Sequence, residues 1–434
     1  MRIESESVTG TAGFPATPAI RATIRAAIVA AADKLTAVST WLHDNPEISF
    51  QEFKAHDKLT TFLESEGFSV DRHYAGLETA WKATFTRGTG PTFGLNSEYD
   101  ALPGVGHACG HNLICVAGIA SLIGLRAAMI AHDIKGTVVL LGTPAEESGD
   151  GKVRLLERGA YDGIEACMMA HPAGESGKGV DGLIRPCLAV RSIGVEFFGK
   201  PAHAANAPYQ GVNALDAANI AYMSISSMRQ QLRQGEMVHG IITHGGDAPN
   251  VIPKYTAMEY YCRCGDADRL DKLIAKIVPS FHAAALATGC EVKLDISGLC
   301  ADLRHAAPLA EEYANVMESE FGQHIDVDLT EAGRRMGSTD FGNVTYAMPG
   351  CHPHFVITEL PPKVHTAEFA AIAATAPAHE QTYRVASGMA TVGVRFLTDK
   401  AFAERTKKAW RESMDEVGGL VDVAKWGANP AHLQ

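Results

Sequence analysis

Tyr99-Asp-Ala-Leu-Pro-Gly-Val-Gly-His-Ala-Cys-Gly-His-Asn112 sets an acid, two histidines and a cysteine among three glycines and a proline, directly ahead of the apolar run 113–131. Cys109 and His111 stand two apart with a glycine between them. In an extended or looped backbone both side chains can therefore converge on one soft or borderline metal ion. Alone the pair is a weak signal, because cysteine is often a small buried hydrophobe and a lone histidine a satisfied core or surface residue. Its weight comes from the further potential ligands that follow, each at the end of an expected strand.

Working outward, residues 79–85 and 92–97 read as strands, and 113–131 as a buried helix interrupted by Gly118, Ser121, Gly124 and Arg126. The fully apolar run 137–142 is typical of a central parallel strand, and 166–170 is another. Strand, helix, strand in this order implies right-handed crossovers and an α/β sheet covered on both faces. Such a sheet places its site beyond the carboxyl ends of its strands. Asp100, the pair Glu146 and Glu147, and His171 fall there, each after a different strand. Adjacent glutamates are usually a solvated pair and His171-Pro172 could be a turn, yet three successive strands ending in metal-compatible side chains form a pattern.

The remainder fills out two domains, as 434 residues suggest. Residues 1–18 read as a flexible tail, followed by helices over 19–42 and 50–66. Between 188 and 302 the order becomes βαββαβ: strands 190–198, 239–245, 255–264 and 291–297, with helices 211–233 and 268–287, the second kinked at Pro279. This is an inserted ferredoxin-like α+β domain whose half-exposed sheet suits one-sided packing or pairing. Residues 1–187 and 303–434 then form the catalytic α/β domain, with a helix over 309–321.

Composition narrows the function. The chain is 46% hydrophobic and 20% charged, as in soluble globular proteins. Its formal charge of −12 repels phosphate backbones and anionic lipid surfaces, so neither nucleic acid nor membrane is an expected partner. Nine cysteines without a Cys-x-x-Cys do not form a disulfide framework, and the polar, acidic start Met1-Arg-Ile-Glu-Ser-Glu-Ser lacks the marks of a signal peptide. A reducing cytoplasm is the expected setting.

The motifs Asn45-Pro-Glu47, Tyr99-Asp-Ala-Leu-Pro103, His107-Ala-Cys-Gly-His-Asn112, Pro144-Ala-Glu-Glu147, His171-Pro172, Gly199-Lys-Pro-Ala-His203, Asn250-Val-Ile-Pro253, Gly337-Ser-Thr-Asp340 and His365-Thr366 run through residues 41–397. In this order the chain resembles the dinuclear metal exopeptidases that include aminoacylases, carboxypeptidase G, plant auxin-conjugate amidohydrolases and bacterial aminobenzoyl-glutamate hydrolases. Asn112, where auxin-conjugate hydrolases usually carry Asp, is most similar to the branch of aminobenzoyl-glutamate hydrolase and β-alanyl-lysine-type dipeptidases.

The resemblance implies that Cys109, His111, Glu147, His171 and a late histidine hold two divalent ions, zinc or manganese. It favours His365 as the late ligand, with His352 and His354 as substitutes nearby. It also implies Glu146 as general base, Asp100 as the carboxylate orienting a ligand, and Asn250 as a substrate contact, where the plain alternative is a turn asparagine. Arg263, on an expected exposed strand, is a further candidate for a substrate carboxylate or a surface residue of that strand. His203, in the inserted lid, would reach a partner's site in a homodimer and stabilise the oxyanion. The implied reaction is hydrolysis of the amide bond of a small N-acyl or N-aminoacyl amino acid. Independently of the family, hydrolysing an amide needs a nucleophilic water; a bound divalent metal lowers that water's pKa, and a carboxylate beside the metal can take its proton and deliver it to the leaving amine. An aryl-amide or auxin-conjugate hydrolase is the alternative within the class. A non-catalytic homologue would have lost Glu146 or a ligand, and both are kept.

Overall fold

The strand Gly136–Thr143 is buried on both faces: Val138 and Leu140 enter one hydrophobic core, Val139 and Leu141 another. The protein is described by a computed structural model covering residues 16–174, 179–334, 337–358, 362–417, 426–430 and 433. The expected tail therefore lies, up to residue 15, outside the described residues. In the central sheet the strands run in the order Ser69–Arg72, Trp81–Arg87, Gly136–Thr143, Thr92–Glu98, Ala166–Met168, Gly350–Cys351. The first two pairings are antiparallel and the other three parallel, so the expected α/β sheet is mixed.

One face carries the helix His111–Ala131, flanked by Pro18–Asp44 and Ala376–Thr398. That helix is long and apolar enough to cross a membrane, but most of it is buried in the core. It lies so close to the sheet that a Cβ on Gly118 would stand 2.4 Å from Ser97 Oγ. The other face is covered by Gly151–Glu157 and Phe341–Ala347.

Residues Ala189–Ile296 build a four-stranded antiparallel sheet in the order Glu291–Ile296, Ala189–Phe198, Tyr255–Cys264, Met237–His244. Ile193, Val195 and Phe197 pack with Met258 and Tyr260 under the helices Ala214–Met228 and Ala267–Thr288, while alternate residues stay partly exposed. The second helix continues through Pro279 as one element.

Two local expectations differ from the structure, and one small sheet was not expected. The second helix begins at Phe53 rather than 50, because Phe50 has a positive φ of 58° and its N–H donates to the Glu52 side chain. The third strand ends at Met168, and His171 opens a separate strand, His171–Ala173, in another sheet. That sheet joins Ile325–Val327, Gly182–Ile184, His354–Val356 and His171–Ala173, none of them foreseen as partners.

Candidate metal centre

The carboxyl ends of three central strands and two loops converge on one cluster. Thr92–Glu98 leads to Asp100, Gly136–Thr143 leads to Glu146 and Glu147, and the chain after Ala166–Met168 presents His171. Cys109 and His111 arrive on either side of Gly110, whose φ is +78° and whose Cβ would stand 2.5 Å from Pro172 Cγ. Only glycine satisfies both constraints, so the Cys-Gly-His spacing is structural as well as chemical.

Cys109 Sγ is 3.3 Å from His171 Nε2 and 3.3 Å from His365 Nε2. His365 Nε2 is in turn 3.5 Å from Glu147 Oε1, and His111 Nε2 is 3.7 Å from the same oxygen. Potential ligand atoms within 4.8 Å of one another form the groups Cys109, His111, His171; Cys109, Glu147, His365; and His111, Glu146, Glu147. Cys109 is common to the first two. His365 belongs to a group, whereas buried His352 packs against Phe341, His171 and His354 and belongs to none among the described residues. His107 is buried and likewise joins none of these groups.

Hydrogen bonds fix how the ligand atoms point. Asp100 Oδ1 accepts from His111 Nδ1 at 3.1 Å, and the Pro172 carbonyl accepts from His171 Nδ1 at 2.7 Å. Each bond leaves the Nε2 lone pair facing the cluster, as is usual for metal-bound histidine. Asp100 Oδ2 accepts from the Glu147 N–H at 3.0 Å and from Ser49 Oγ at 3.1 Å. Burial alone would raise the Asp100 carboxyl, but its bond to His111 and the backbone donors bring it down to about 2. Burial raises the Cys109 thiol and also raises Glu146, which faces Glu98 and Glu147.

A cation suits this set. His111 Nε2, Glu147 Oε1 and Glu98 Oε2 are buried without hydrogen bonds among the described residues, a costly state unless a ligand takes them. A thiol, imidazoles and carboxylates together match a borderline divalent metal.

The structure adds residues that the sequence reading did not single out. Glu52 is buried and accepts from the N–H groups of Phe50 and Ala145 and from Thr79 Oγ1. Ala145 has φ +59°, so Glu52 ties down the turn that presents Glu146 and Glu147. Burial and the nearby Asp100 charge raise Glu52 to about 7. Glu98, Lys152 and Asp340 form a buried ion-paired group beside the cluster. Glu98 was legible only as the residue two before Asp100, on the same side of an extended strand. Nothing local marked Lys152.

The remaining candidates lie elsewhere. His203 is exposed, and its Nδ1 accepts from the N–H groups of Ala205 and Asn206. Asn250 is exposed too, and its carbonyl accepts from Ala204 N, while His203 pairs with Val251 across the two loops. The structure thus brings His203 and Asn250 together, but among the described residues no contact joins them to the cluster. Arg263 donates to Ser338 Oγ at 2.8 Å.

A family profile described as Peptidase family M20/M25/M40 matches residues 94–385. The chain is 39% identical to the Xaa-Arg dipeptidase of Mus musculus over 402 residues, covering 89% of this chain and 91% of that protein. It is 35% identical to the Xaa-Arg dipeptidase of Homo sapiens over 407 residues, again covering 89% of this chain and 91% of that protein. Among solved structures, the YXEP protein of Bacillus subtilis, a dinuclear metal binding peptidase from M20 family, superposes with a TM-score of 0.63 at 22% identity, covering 85% of this chain and 99% of that one.

Proposed function

Because the chain belongs to peptidase family M20/M25/M40, whose members among its relatives hydrolyse amide bonds, we propose that it is a metal-dependent dipeptidase releasing a basic C-terminal amino acid. The observation that carries the substrate class is the 39% identity to an Xaa-Arg dipeptidase along nearly the whole of both chains. The formal charge of −12 favours a cationic substrate on encounter.

Cys109, His111 and His171 on one side, and Cys109, Glu147 and His365 on the other, would hold two divalent ions, zinc or manganese. Such ions, when bound, lower the pKa of water to about 7 and polarise a carbonyl oxygen. Glu146 takes the proton from the attacking water and delivers it to the leaving amine. The turn that carries it is held by hydrogen bonds from the Ala145 N–H to Glu52 and from the Glu147 N–H to Asp100. Asp100 keeps His111 in the tautomer that offers Nε2.

We read residues 188–302 as an inserted lid that pairs with a second copy. The edge strand Met237–His244, with Ile241 62% exposed, supports that reading, since exposed apolar edges are otherwise a liability. His203 then acts on the oxyanion of the partner's site, and Asn250 and Arg263 are candidates for substrate contact. Nine free cysteines support a reducing, cytoplasmic setting.

Purified protein should be given β-alanyl-lysine, Xaa-Arg dipeptides, N-acetyl amino acids and aminobenzoyl-glutamate, and the released amine quantified. Basic dipeptides should lead by roughly 10-fold or more in kcat/KM. Faster release from aminobenzoyl-glutamate or an N-acetyl amino acid would overturn the substrate class.

A further inference from the structure

Lys152 is fully buried, a state lysine tolerates only when paired. Its Nζ donates to Glu98 Oε1 at 2.5 Å and to Asp340 Oδ1 at 2.6 Å, and its backbone N–H donates to Asp340 Oδ2 at 2.8 Å. Three distant segments meet here: the end of Thr92–Glu98, the start of Gly151–Glu157 and the residue before Phe341–Ala347. Glu98, Glu146 and Asp340 also form a group whose oxygens lie within 4.8 Å of one another, the arrangement of a cation site. Glu146 is shared with the group of His111 and Glu147. Glu98 Oε2 is buried without a hydrogen bond and lies 3.6 Å from His111 Nε2.

We infer that Lys152 is a tethered cation occupying what would otherwise be a third divalent-ion site, and so confines the metal centre to the two groups that share Cys109. Buried carboxylates this close repel one another unless positive charge stands between them. An ammonium is a compact point charge with three donors and can stand where a small cation would. Unlike a free ion, it cannot dissociate and cannot polarise substrate. It therefore balances Glu98 and Asp340 without competing for Glu146, which stays free to move protons. Lys152 is in these terms a positioning residue.

This inference rests on the two-ion reading, and the test separates them. Full-length wild type, Lys152→Ala, Lys152→Met and the double variant Lys152→Ala/Asp340→Asn are purified with Mn²⁺ present and dialysed to equilibrium against Mn²⁺, and bound metal per chain is measured. Wild type should hold about two ions and Lys152→Ala about three, since removing the ammonium frees Glu98 and Asp340 to join Glu146 as ligands. Lys152→Met, which fills the volume without charge, and the double variant, which removes a ligand, should hold the wild-type number. Propylammonium should displace the extra ion from Lys152→Ala. No difference between wild type and Lys152→Ala would overturn the inference whatever the wild-type count. A wild-type count below two would overturn the two-ion reading alone. Failure of Lys152→Ala to fold even with Mn²⁺ and propylammonium would also overturn the inference, because either cation should replace the lost charge.

Discussion

The candidate metal cluster and the paired loops carrying His203 and Asn250 are built on opposite principles. In the cluster, side chains are held from behind: His111 by Asp100, His171 by the Pro172 carbonyl, and the Glu146-Glu147 turn by Glu52 and Asp100. In the loops, backbone pairs with backbone, and both side chains of interest lie exposed. The first region is preorganised within one chain, as a centre must be when its donors would repel or stay unsatisfied without a cation. The second is framed by backbone hydrogen bonds, and among the described residues the side chains of His203 and Asn250 make no contact with the cluster.

The contrast breaks most visibly if the cluster is not a metal centre. Chelation should abolish turnover, and returning the metal should restore it. Cys109→Ala, which removes the atom shared by two ligand groups, should lose metal and turnover together. His365→Ala should lose more metal than His352→Ala, because His365 Nε2 is 3.3 Å from Cys109 Sγ. Full activity in chelator, or equal metal loss in the two histidine variants, would contradict these assignments. Next in size, Glu146→Gln should retain metal while turnover falls by roughly 10²–10⁴-fold, the usual worth of a general base. If it loses metal instead, the roles of Glu146 and Glu147 are exchanged.

How much of each region could be read beforehand follows the same division. Gly136–Thr143 is apolar at successive positions because both faces are buried, and Glu291–Ile296 alternates because one face is wet, so period alone found both. The sheet containing His171–Ala173, Gly182–Ile184, Ile325–Val327 and His354–Val356 was hidden, because each strand has three residues and pairs with distant segments. In the site, Asp100, Cys109 and His111 share one short stretch and were legible together. Lys152 was not: in Gly149-Asp-Gly-Lys152 it looks like part of a solvated turn, and only Glu98 and Asp340, far away in sequence, account for its burial. His365 and His352 occupy one C-terminal segment, and distance rather than spacing separates them.

The loop region is tested by asking whether its side chains serve a second copy. His203→Ala should keep its metal and its oligomeric state, yet turn over roughly 10²–10³-fold more slowly, the usual loss when an oxyanion donor is removed. Mixing it with Glu146→Gln sharpens the point. If His203 acts in trans, a heterodimer contains one site with an intact Glu146 and the partner's intact histidine, and activity returns. Heterodimers as inactive as either parent would remove the shared-site arrangement.

The smallest effect belongs to Asn250, and its placement makes the experiment cleaner than most loop substitutions. What Asn250 gives the loop pairing is its carbonyl, which accepts from Ala204 N at 3.0 Å. Asn250→Ala keeps that carbonyl, so the frame around His203 should survive and any kinetic change reports the amide alone. A neutral hydrogen bond to substrate contributes about 0.5–1.5 kcal/mol net, so its loss should raise KM by roughly 2–12-fold. If the bond is made equally in ground and transition states, kcat stays put while kcat/KM falls by the same factor. Should kcat fall with KM unchanged, Asn250 acts with His203 in the transition state. Unchanged constants on the best substrate would leave Asn250 as a turn residue, with His203 the functional side chain of that loop pair.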